Sequence, residues 1–155
     1  MYKTVGASLS PREFRGCDAN LAAVSENERA IAAADGLRIV IIDDNEDIAE
    51  SLKDLLEETG HRVWSARTGM DGVGLVQEIG PNVVLCDLSL PQMDGLETCR
   101  RIRALPIAVH PLMVAITGWG RDEDLRRTRE AGFDHHLVKP LRVDNLDQML
   151  RDLTG

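Results

Sequence analysis

The stretch VVLCDLSLPQMDG, residues 83–95, contains the pattern from which we interpret this 155-residue chain. It opens with a short, continuously apolar run, Val83 to Cys86, of the kind that forms a strand buried on both faces of a sheet. The run stops at Asp87, and Pro91 to Gly95 then predicts a turn into a helix capped by Asp94. The stretch therefore predicts a strand, an acidic residue at its carboxyl end, and a helix.

The same alternation extends in both directions along the chain. Four other apolar runs predict strands: Leu37 to Ile42, Arg62 to Ser65, Met113 to Ile116 and His136 to Val138. Segments with helical spacing follow the five runs, around Ile48 to Leu56, Val73 to Ile79, Leu96 to Ile102, Leu125 to Ala131 and Leu146 to Leu153. Five successive βα units predict an α/β fold with a five-stranded parallel sheet, doubly wound, covered by helices on both faces.

Composition excludes several classes of protein. The length and the hydrophobic fraction of 43% fit one domain with a short appendage, and a formal net charge of −8 argues against nucleic acid as a direct partner. No apolar run is long enough to predict a membrane span, and the charged residues near the start argue against a signal peptide. Cys17, Cys86 and Cys99 form no C-x-x-C pair, which fits a reducing compartment. We therefore expect a cytoplasmic protein without a membrane partner.

The chain divides near residue 36. Residues 1–36 lack strand periodicity and predict an N-terminal extension that is flexible or partly helical, with a weak helical pattern from Leu21 to Ala34. The extension is compatible with a linker, a disordered arm or a helix that docks on a partner. Apolar runs begin at Leu37, so residues 37–155 are predicted to form the folded domain.

Polar side chains stand at the carboxyl ends of four predicted strands. Asp43 and Asp44 follow the first run, Asp87 the third, Thr117 the fourth and Lys139 the fifth. Ligands of open α/β sheets bind at this edge, where adjacent strands would bring the five side chains into one cleft. Carboxylates about 4 Å apart repel by about 4 kcal/mol at an effective dielectric of about 20, so three would recruit a divalent cation. Oxygen ligands alone favour Mg²⁺.

Each of these residues also has an ordinary structural interpretation. Asp44 or Asn45 could cap the following helix, and Thr117 could be a turn residue. Lys139 before Pro140 could be a solvated lysine at a helix entry. Their joint occurrence at strand ends, in residue types that bind phosphate or magnesium, favours a functional site.

The motifs resemble those of response-regulator receiver domains, the chemotaxis regulator among them, in two-component signalling. The resemblance covers residues 37–153 and rests on these motifs at matching intervals: Asp43-Asp44, Asp87 to Gly95, Ile116-Thr117-Gly118 and Lys139-Pro140. It implies a flavodoxin-like fold, and it assigns a role to each site residue.

By this resemblance, Asp87 is the phosphoacceptor, which takes a phosphoryl group from a phosphohistidine. Mg²⁺ would be held by Asp43, Asp44 and Asp87 and by the backbone carbonyl of Ser89. The Thr117 hydroxyl and the Lys139 ammonium would contact phosphoryl oxygens, and the peptide between Lys139 and Pro140 would be cis.

Three further positions bear on switching and on the lifetime of the phosphoryl group. His136 stands three residues before Lys139, where the family commonly has an aromatic residue that changes rotamer as the threonine moves. A titratable ring at this position predicts that the switch responds to pH as well as to phosphorylation. Alternatively, His136 is an ordinary, partly exposed histidine of the strand. Ser89 and Trp119 correspond to positions that flank the path of hydrolytic water. The large Trp119 predicts slow self-dephosphorylation, or else a contact with a partner.

We therefore predict the phosphoacceptor receiver of a two-component phosphorelay, which is not an enzyme in the usual sense. Its partners would be a histidine kinase or phosphotransfer protein and a downstream target protein, because no basic recognition helix follows. The helices after the fourth and fifth strands could form the interface of a homodimer, or their charged faces could simply be exposed to solvent. Their charged residues are Arg126, Arg127 and Arg129 against Asp144 and Asp147.

Three alternatives stay open. The chain could be the receiver piece of a hybrid sensor kinase, or an interaction module that works without phosphorylation. A magnesium-dependent phosphohydrolase of the haloacid dehalogenase type also forms an aspartyl phosphate. Such an enzyme needs a general acid two residues after the nucleophile, where this chain has Ser89.

Overall fold

The structure, a computed structural model, describes residues 36–118 and 122–154 of the chain. The predictions for the N-terminal extension, including the helical pattern from Leu21 to Ala34, lie outside the described residues, as does Trp119. The division of the chain near residue 36 therefore stays a prediction.

Within the described residues, five strands alternate with five helices in the predicted order. The bounds are β1 Arg38–Ile42, α1 Glu46–Glu58, β2 Arg62–Ala66, α2 Gly69–Ile79, β3 Val83–Asp87, α3 Gly95–Arg103, β4 Leu112–Thr117, α4 Asp122–Ala131, β5 His135–Val138 and α5 Val143–Thr154. In this part of the chain, no helix combines the length and the apolar character that crossing a membrane requires.

The strands form one parallel sheet in the order β2-β1-β3-β4-β5. Helices α1 and α5 pack on one face of this sheet, and α2, α3 and α4 pack on the other. All five residues of the central strand β3 are buried, because both of its faces are covered. The predicted doubly wound α/β fold is confirmed.

Alternate residues of each strand supply the two apolar layers of the core. In β1, Val40 and Ile42 pack toward α2 and α3, whereas Ile39 and Ile41 pack toward α1 and α5. Because both sets are buried, the strand appears in the sequence as a continuous apolar run and not as an alternating one.

Side-chain caps define the starts of three helices. The donors and acceptors are Ile48 N to Asn45 Oδ1 at 3.2 Å, Asp71 N to Thr68 Oγ1 at 3.1 Å, and Glu97 N to Asp94 Oδ1 at 2.9 Å. The predicted cap at Asp94 is confirmed. Of the two candidates before α1, Asn45 is the cap, which leaves the Asp44 side chain available to the carboxyl edge of the sheet.

Four strands and all five helices extend beyond the bounds predicted for them, whereas β1 begins one residue later than predicted, at Arg38. Asp87 and Thr117 are the last residues of β3 and β4, not the first residues after them, because their backbones still pair with the neighbouring strand. Helix α4 begins at Asp122, before the predicted start at Leu125. Its acidic first turn suits a helix N-terminus but offers no apolar residue from which periodicity could be recognised.

Candidate functional site

The five predicted site side chains belong to residues at one edge of the sheet. Asp43 and Asp44 directly follow β1, Asp87 ends β3, Thr117 ends β4, and Lys139 directly follows β5. These four strands are neighbours in the parallel sheet, so their carboxyl ends meet at this edge. The strand order thus supplies the adjacency on which the predicted cleft depends.

Asp43, Asp44 and Asp87 form a compact acidic cluster. One carboxylate oxygen from each residue lies within 4.8 Å of those from the other two. Asp43 and Asp87 are buried, at 4% and 5% exposed, whereas Asp44 is exposed. Burial removes much of the water that would screen their repulsion. An all-oxygen donor set of this charge fits a hard divalent cation such as Mg²⁺.

Lys139 supplies the positive charge that faces this cluster. Its Nζ lies 3.3 Å from Asp87 Oδ2 and 4.0 Å from Asp43 Oδ2. The peptide between Lys139 and Pro140 is cis, as the sequence resemblance implies, and Lys139 N donates to the Thr117 carbonyl at 2.7 Å. One lysine therefore contacts two of the three carboxylates while its side chain stays 31% exposed, within reach of a third anionic group from solvent.

Backbone groups fix the Asp87 carboxylate and the turn that follows it. Ser89 N donates to Asp87 Oδ1 at 3.1 Å, and Gly95 N donates to the carbonyl of Leu88 at 3.1 Å. A Cβ at residue 95 would collide with the Asp87 carbonyl oxygen, so only glycine lets α3 begin this close to the end of β3. The sequence predicts a turn that ends at Gly95 but no role for it in the site, because the close approach of the two backbones depends on tertiary packing.

Thr117 and His136 lie on the same face of the sheet. The register of β4 and β5 places Ala115 opposite His136 and Thr117 opposite Val138, which makes Thr117 and His136 diagonal neighbours. Thr117 is 1% exposed. Both ring nitrogens of His136 are buried and find no hydrogen-bond partner among the described residues. An unsatisfied imidazole is unfavourable in the interior, so this arrangement carries an energetic penalty next to the threonine.

The remaining predicted positions differ in what the structure describes of them. Ser89 is exposed beside Asp87, and its backbone N–H contacts that carboxylate. Trp119 lies outside the described residues. Cys86 and Cys99 are free thiols buried in the core, and burial raises the pKa of Cys99 to about 12.

The electrostatic balance of the cluster is visible at Asp43. Burial raises the pKa of Asp43 above its ordinary value of 3.8, and the charge on Asp87 adds to this rise. The N–H of Asn45, which donates to Asp43 Oδ1 at 2.9 Å, and the Lys139 ammonium act in the opposite direction without cancelling it. Because the folded-state pKa exceeds the unfolded one, the folded state loses stability as the pH rises from 3.8 through the higher folded-state value.

We predict that Asp43→Asn raises the melting temperature of the cation-free protein at neutral pH by a few degrees. The amide retains an acceptor for the Asn45 N–H but removes a buried charge whose ionisation is unfavourable in the folded state. Thermal unfolding in chelator checks this. Added Mg²⁺ should stabilise the wild type and affect the variant much less.

The matched control for Asp43→Asn is Asp47→Asn, which changes the same charge at an exposed position of α1. We expect little change in melting temperature there, because surface charges are well screened. Equal shifts for the two variants would mean that general charge reduction, and not relief of the buried cluster, causes the effect.

Comparison with known proteins assigns the chain to a family. Residues 39–151 match the family model "Response regulator receiver domain". The transcriptional regulatory protein AfsQ1 of Streptomyces coelicolor is 36% identical over 116 residues, which are 73% of this chain and 49% of AfsQ1, so the chain spans about half of that relative. The polar-differentiation response regulator DivK of Brucella ovis is 26% identical over 117 residues, 76% of this chain and 95% of DivK.

The fold comparison agrees with the family match. The receiver domain (CheY-like) of a response regulator from Methylobacillus flagellatus superposes with a TM-score of 0.66 at 29% identity, over 75% of this chain and 97% of that structure. Receiver domains are signalling modules and generally bind Mg²⁺ at an acidic pocket, with which the cluster of three aspartates agrees. The resemblance found in the sequence is therefore confirmed, and this chain belongs to the response regulator receiver-domain family of two-component signalling.

Proposed function

We propose that this chain is a phosphoacceptor receiver that takes a phosphoryl group from a phosphohistidine onto Asp87 and thereby changes its binding to a partner protein. One observation carries the proposal: the buried Asp87 carboxylate lies between a lysine ammonium at 3.3 Å and two further carboxylates within 4.8 Å. A nucleophilic carboxylate, a cation site and a fixed positive charge are the components that phosphoryl transfer to aspartate requires.

In the proposed step, a carboxylate oxygen of Asp87 attacks the phosphorus of the phosphohistidine. The new O–P bond forms as the P–N bond breaks, and the electron pair of that bond stays on the imidazole nitrogen. A proton already on the other ring nitrogen of the donor lets the imidazole leave in its neutral form. The products are an acyl phosphate on Asp87 and a neutral histidine on the donor. No water and no redox partner takes part.

The residues around Asp87 have separate tasks in this proposal. Asp43, Asp44, Asp87 and the Ser89 carbonyl would hold Mg²⁺, which supplies positive charge that offsets the repulsion between carboxylates and phosphoryl oxygens. The Ser89 N–H, which donates to Asp87 Oδ1, orients the nucleophile. Lys139, in contact with Asp87 Oδ2 and partly exposed, would transfer its contact to a phosphoryl oxygen.

Thr117 and His136 are proposed as the switch. The Thr117 hydroxyl would donate to a phosphoryl oxygen, and its movement would change the space available to the diagonal neighbour His136. The two unsatisfied ring nitrogens of His136 support this role, because a side chain that lacks partners in one position gains from moving to another. The switch would therefore be biased away from the buried rotamer more strongly than one built on an apolar aromatic ring.

The partners follow from the family and from the position of the site. A histidine kinase or phosphotransfer protein would approach the carboxyl edge of the sheet, and a target protein would read the phosphorylated form in the cytoplasm. A homodimer through α4 and α5 would set Arg126, Arg127 and Arg129 against Asp144 and Asp147. The receiver piece of a hybrid sensor kinase would use the same chemistry on Asp87.

We predict that Mg²⁺ and acetyl phosphate add a single phosphoryl group to the wild type and none to Asp87→Asn, as measured by intact mass. The control Asp54→Asn, at an exposed position of α1, should be labelled like the wild type. An adduct that persists on Asp87→Asn would place the acceptor elsewhere. No adduct on the wild type would favour the module that works without phosphorylation, and sustained release of phosphate over many turnovers would favour the phosphohydrolase.

We predict that His136→Phe stabilises the unphosphorylated protein by about 1–3 kcal/mol, because it removes buried polar atoms that have no partner. Denaturant unfolding checks this. The neighbouring His135→Phe is the matched control, since His135 is exposed on the same strand and should change little. A destabilised His136→Phe would show that the imidazole is satisfied in solution.

We predict that Trp119→Ala shortens the half-life of the phosphoryl group, because Trp119 corresponds in the family to a position that flanks the path of hydrolytic water, where a large side chain would exclude it. The half-life is measured by the decay of the phosphorylated mass after removal of the donor. Ser89→Ala, at the other position assigned to the water path, tests whether that effect depends on the bulk of Trp119. An unchanged half-life for Trp119→Ala would remove the shielding role and leave a partner contact as its explanation.

A further inference from the structure

The amino edge of the sheet, opposite the proposed phosphorylation site, contains a tightly constrained junction. Gly36 directly precedes Leu37 and β1, and it has φ of +78°. A Cβ at this residue would collide with the carbonyl oxygen of Gly60, so the chain enters the domain in close contact with the turn between α1 and β2. Residues 1–35 therefore join the domain at a point where the backbone has little freedom.

Both backbone groups of Leu37 are bound at this junction. The Leu37 carbonyl accepts from Arg62 N at 2.8 Å, and Leu37 N donates to the ring atom Nδ1 of His61 at 3.0 Å. A ring nitrogen can accept only when it carries no proton, so this contact requires neutral imidazole with its proton on Nε2. The backbone hydrogen bond of the residue directly before β1 thus depends on the protonation state of one side chain.

The surroundings of His61 provide a second partner for a charged ring. Burial lowers the pKa of His61 below 6.5, and Asp147 of α5 opposes this shift. Among the described residues, Asp147 is the charged group whose field acts on the ring. The ring also contacts the Leu37 N–H, directly before β1. The backbone N–H of His61 donates to the Leu56 carbonyl of α1 at 3.2 Å. The neutral ring accepts from the Leu37 N–H directly before β1, and the negative charge of Asp147 in α5 favours the protonated ring.

We propose that His61 is a proton-operated clasp on the junction between residues 1–35 and the receiver domain. In its neutral form it accepts from the Leu37 N–H and fixes the entry to β1. After taking a proton from solvent on Nδ1, it can no longer accept, so it releases the Leu37 N–H and turns its N–H groups toward Asp147. The fold thereby gains a site that responds to acid at the edge opposite Asp87.

The pH range of the clasp follows from the direction of the shift. A histidine whose folded-state pKa lies below the unfolded value contributes its full stability above about pH 6.5 and loses it as the pH falls toward the folded-state value. Release of Leu37 should accordingly take place under mildly acidic conditions. Phosphorylation of Asp87 does not enter this equilibrium, so the clasp stands independently of the function proposed above.

The test is amide hydrogen exchange and nitrogen-15 NMR of the full chain between about pH 7.5 and about pH 5. We expect the protection factor of the Leu37 amide to fall about tenfold as the His61 ring titrates, because loss of one hydrogen bond opens the amide locally. The amide of Asp43, which donates to Ala66 at the other end of β1, should keep its protection. Ring nitrogen shifts should show the Nε2–H tautomer at high pH.

Two variants separate the clasp from general acid unfolding. His61→Asn retains an acceptor near the position of Nδ1 but cannot titrate in this range, so the protection of Leu37 should become independent of pH. Asp147→Asn retains the neutral contact but removes the partner of the charged ring, so the ring should titrate at lower pH. Labelling of Asp87 by acetyl phosphate should be the same in His61→Asn as in the wild type.

Three outcomes would overturn the proposal. Leu37 could stay protected after the ring has titrated, the Asp43 amide could lose protection in parallel with Leu37, or His61→Asn could lose protection with the same pH dependence as the wild type. A ring that titrates identically with and without the Asp147 carboxylate would likewise exclude Asp147 as the second partner.

Discussion

Repulsion among the carboxylates of Asp43, Asp44 and Asp87 is the constraint on which the rest of the site depends. Three negative charges within 4.8 Å, two of them buried, are unfavourable without positive charge, and the partly exposed Lys139 offsets only part of the repulsion. Burial raises the pKa of Asp43, and the negative charge of Asp87 adds to this rise. Positive charge therefore favours the cluster, and in the proposed function a cation and the Lys139 ammonium would supply it for an incoming phosphoryl group as well.

The parallel sheet allows the fold to accommodate such a cluster. Because β1, β3, β4 and β5 all run in one direction, their carboxyl ends gather the site residues at one edge, while the apolar residues of the same strands form the two core layers. The opposite edge contains the entry of the chain at Gly36 and the ring of His61. The two sites proposed here thus lie at opposite edges of one sheet.

Much of this arrangement was predictable from the sequence, since it rests on local patterns. Continuous apolar runs identify strands buried on both faces, and the polar residues at their ends identify the cleft, as at Asp87. Features that depend on contacts between distant segments were not predictable. The close approach of Gly95 to Asp87, the unsatisfied nitrogens of His136 and the extra turn of α4 from Asp122 each follow from tertiary packing or from polar residues that carry no periodicity.

A switch needs two states close in free energy, and the described residues show where this fold leaves the ground state unsatisfied. Most core polar groups are paired, for example Thr98 and Thr128 with backbone carbonyls of their own helices. The unfavourable burial of polar groups is concentrated at the Asp43 carboxylate, directly after β1, and at the His136 imidazole in β5. In the proposed function, a cation, a phosphoryl group or a movement of His136 would each relieve part of it. Ligand binding would then shift the equilibrium without disturbing the satisfied core, because the free energy that it releases would come from groups next to the proposed site.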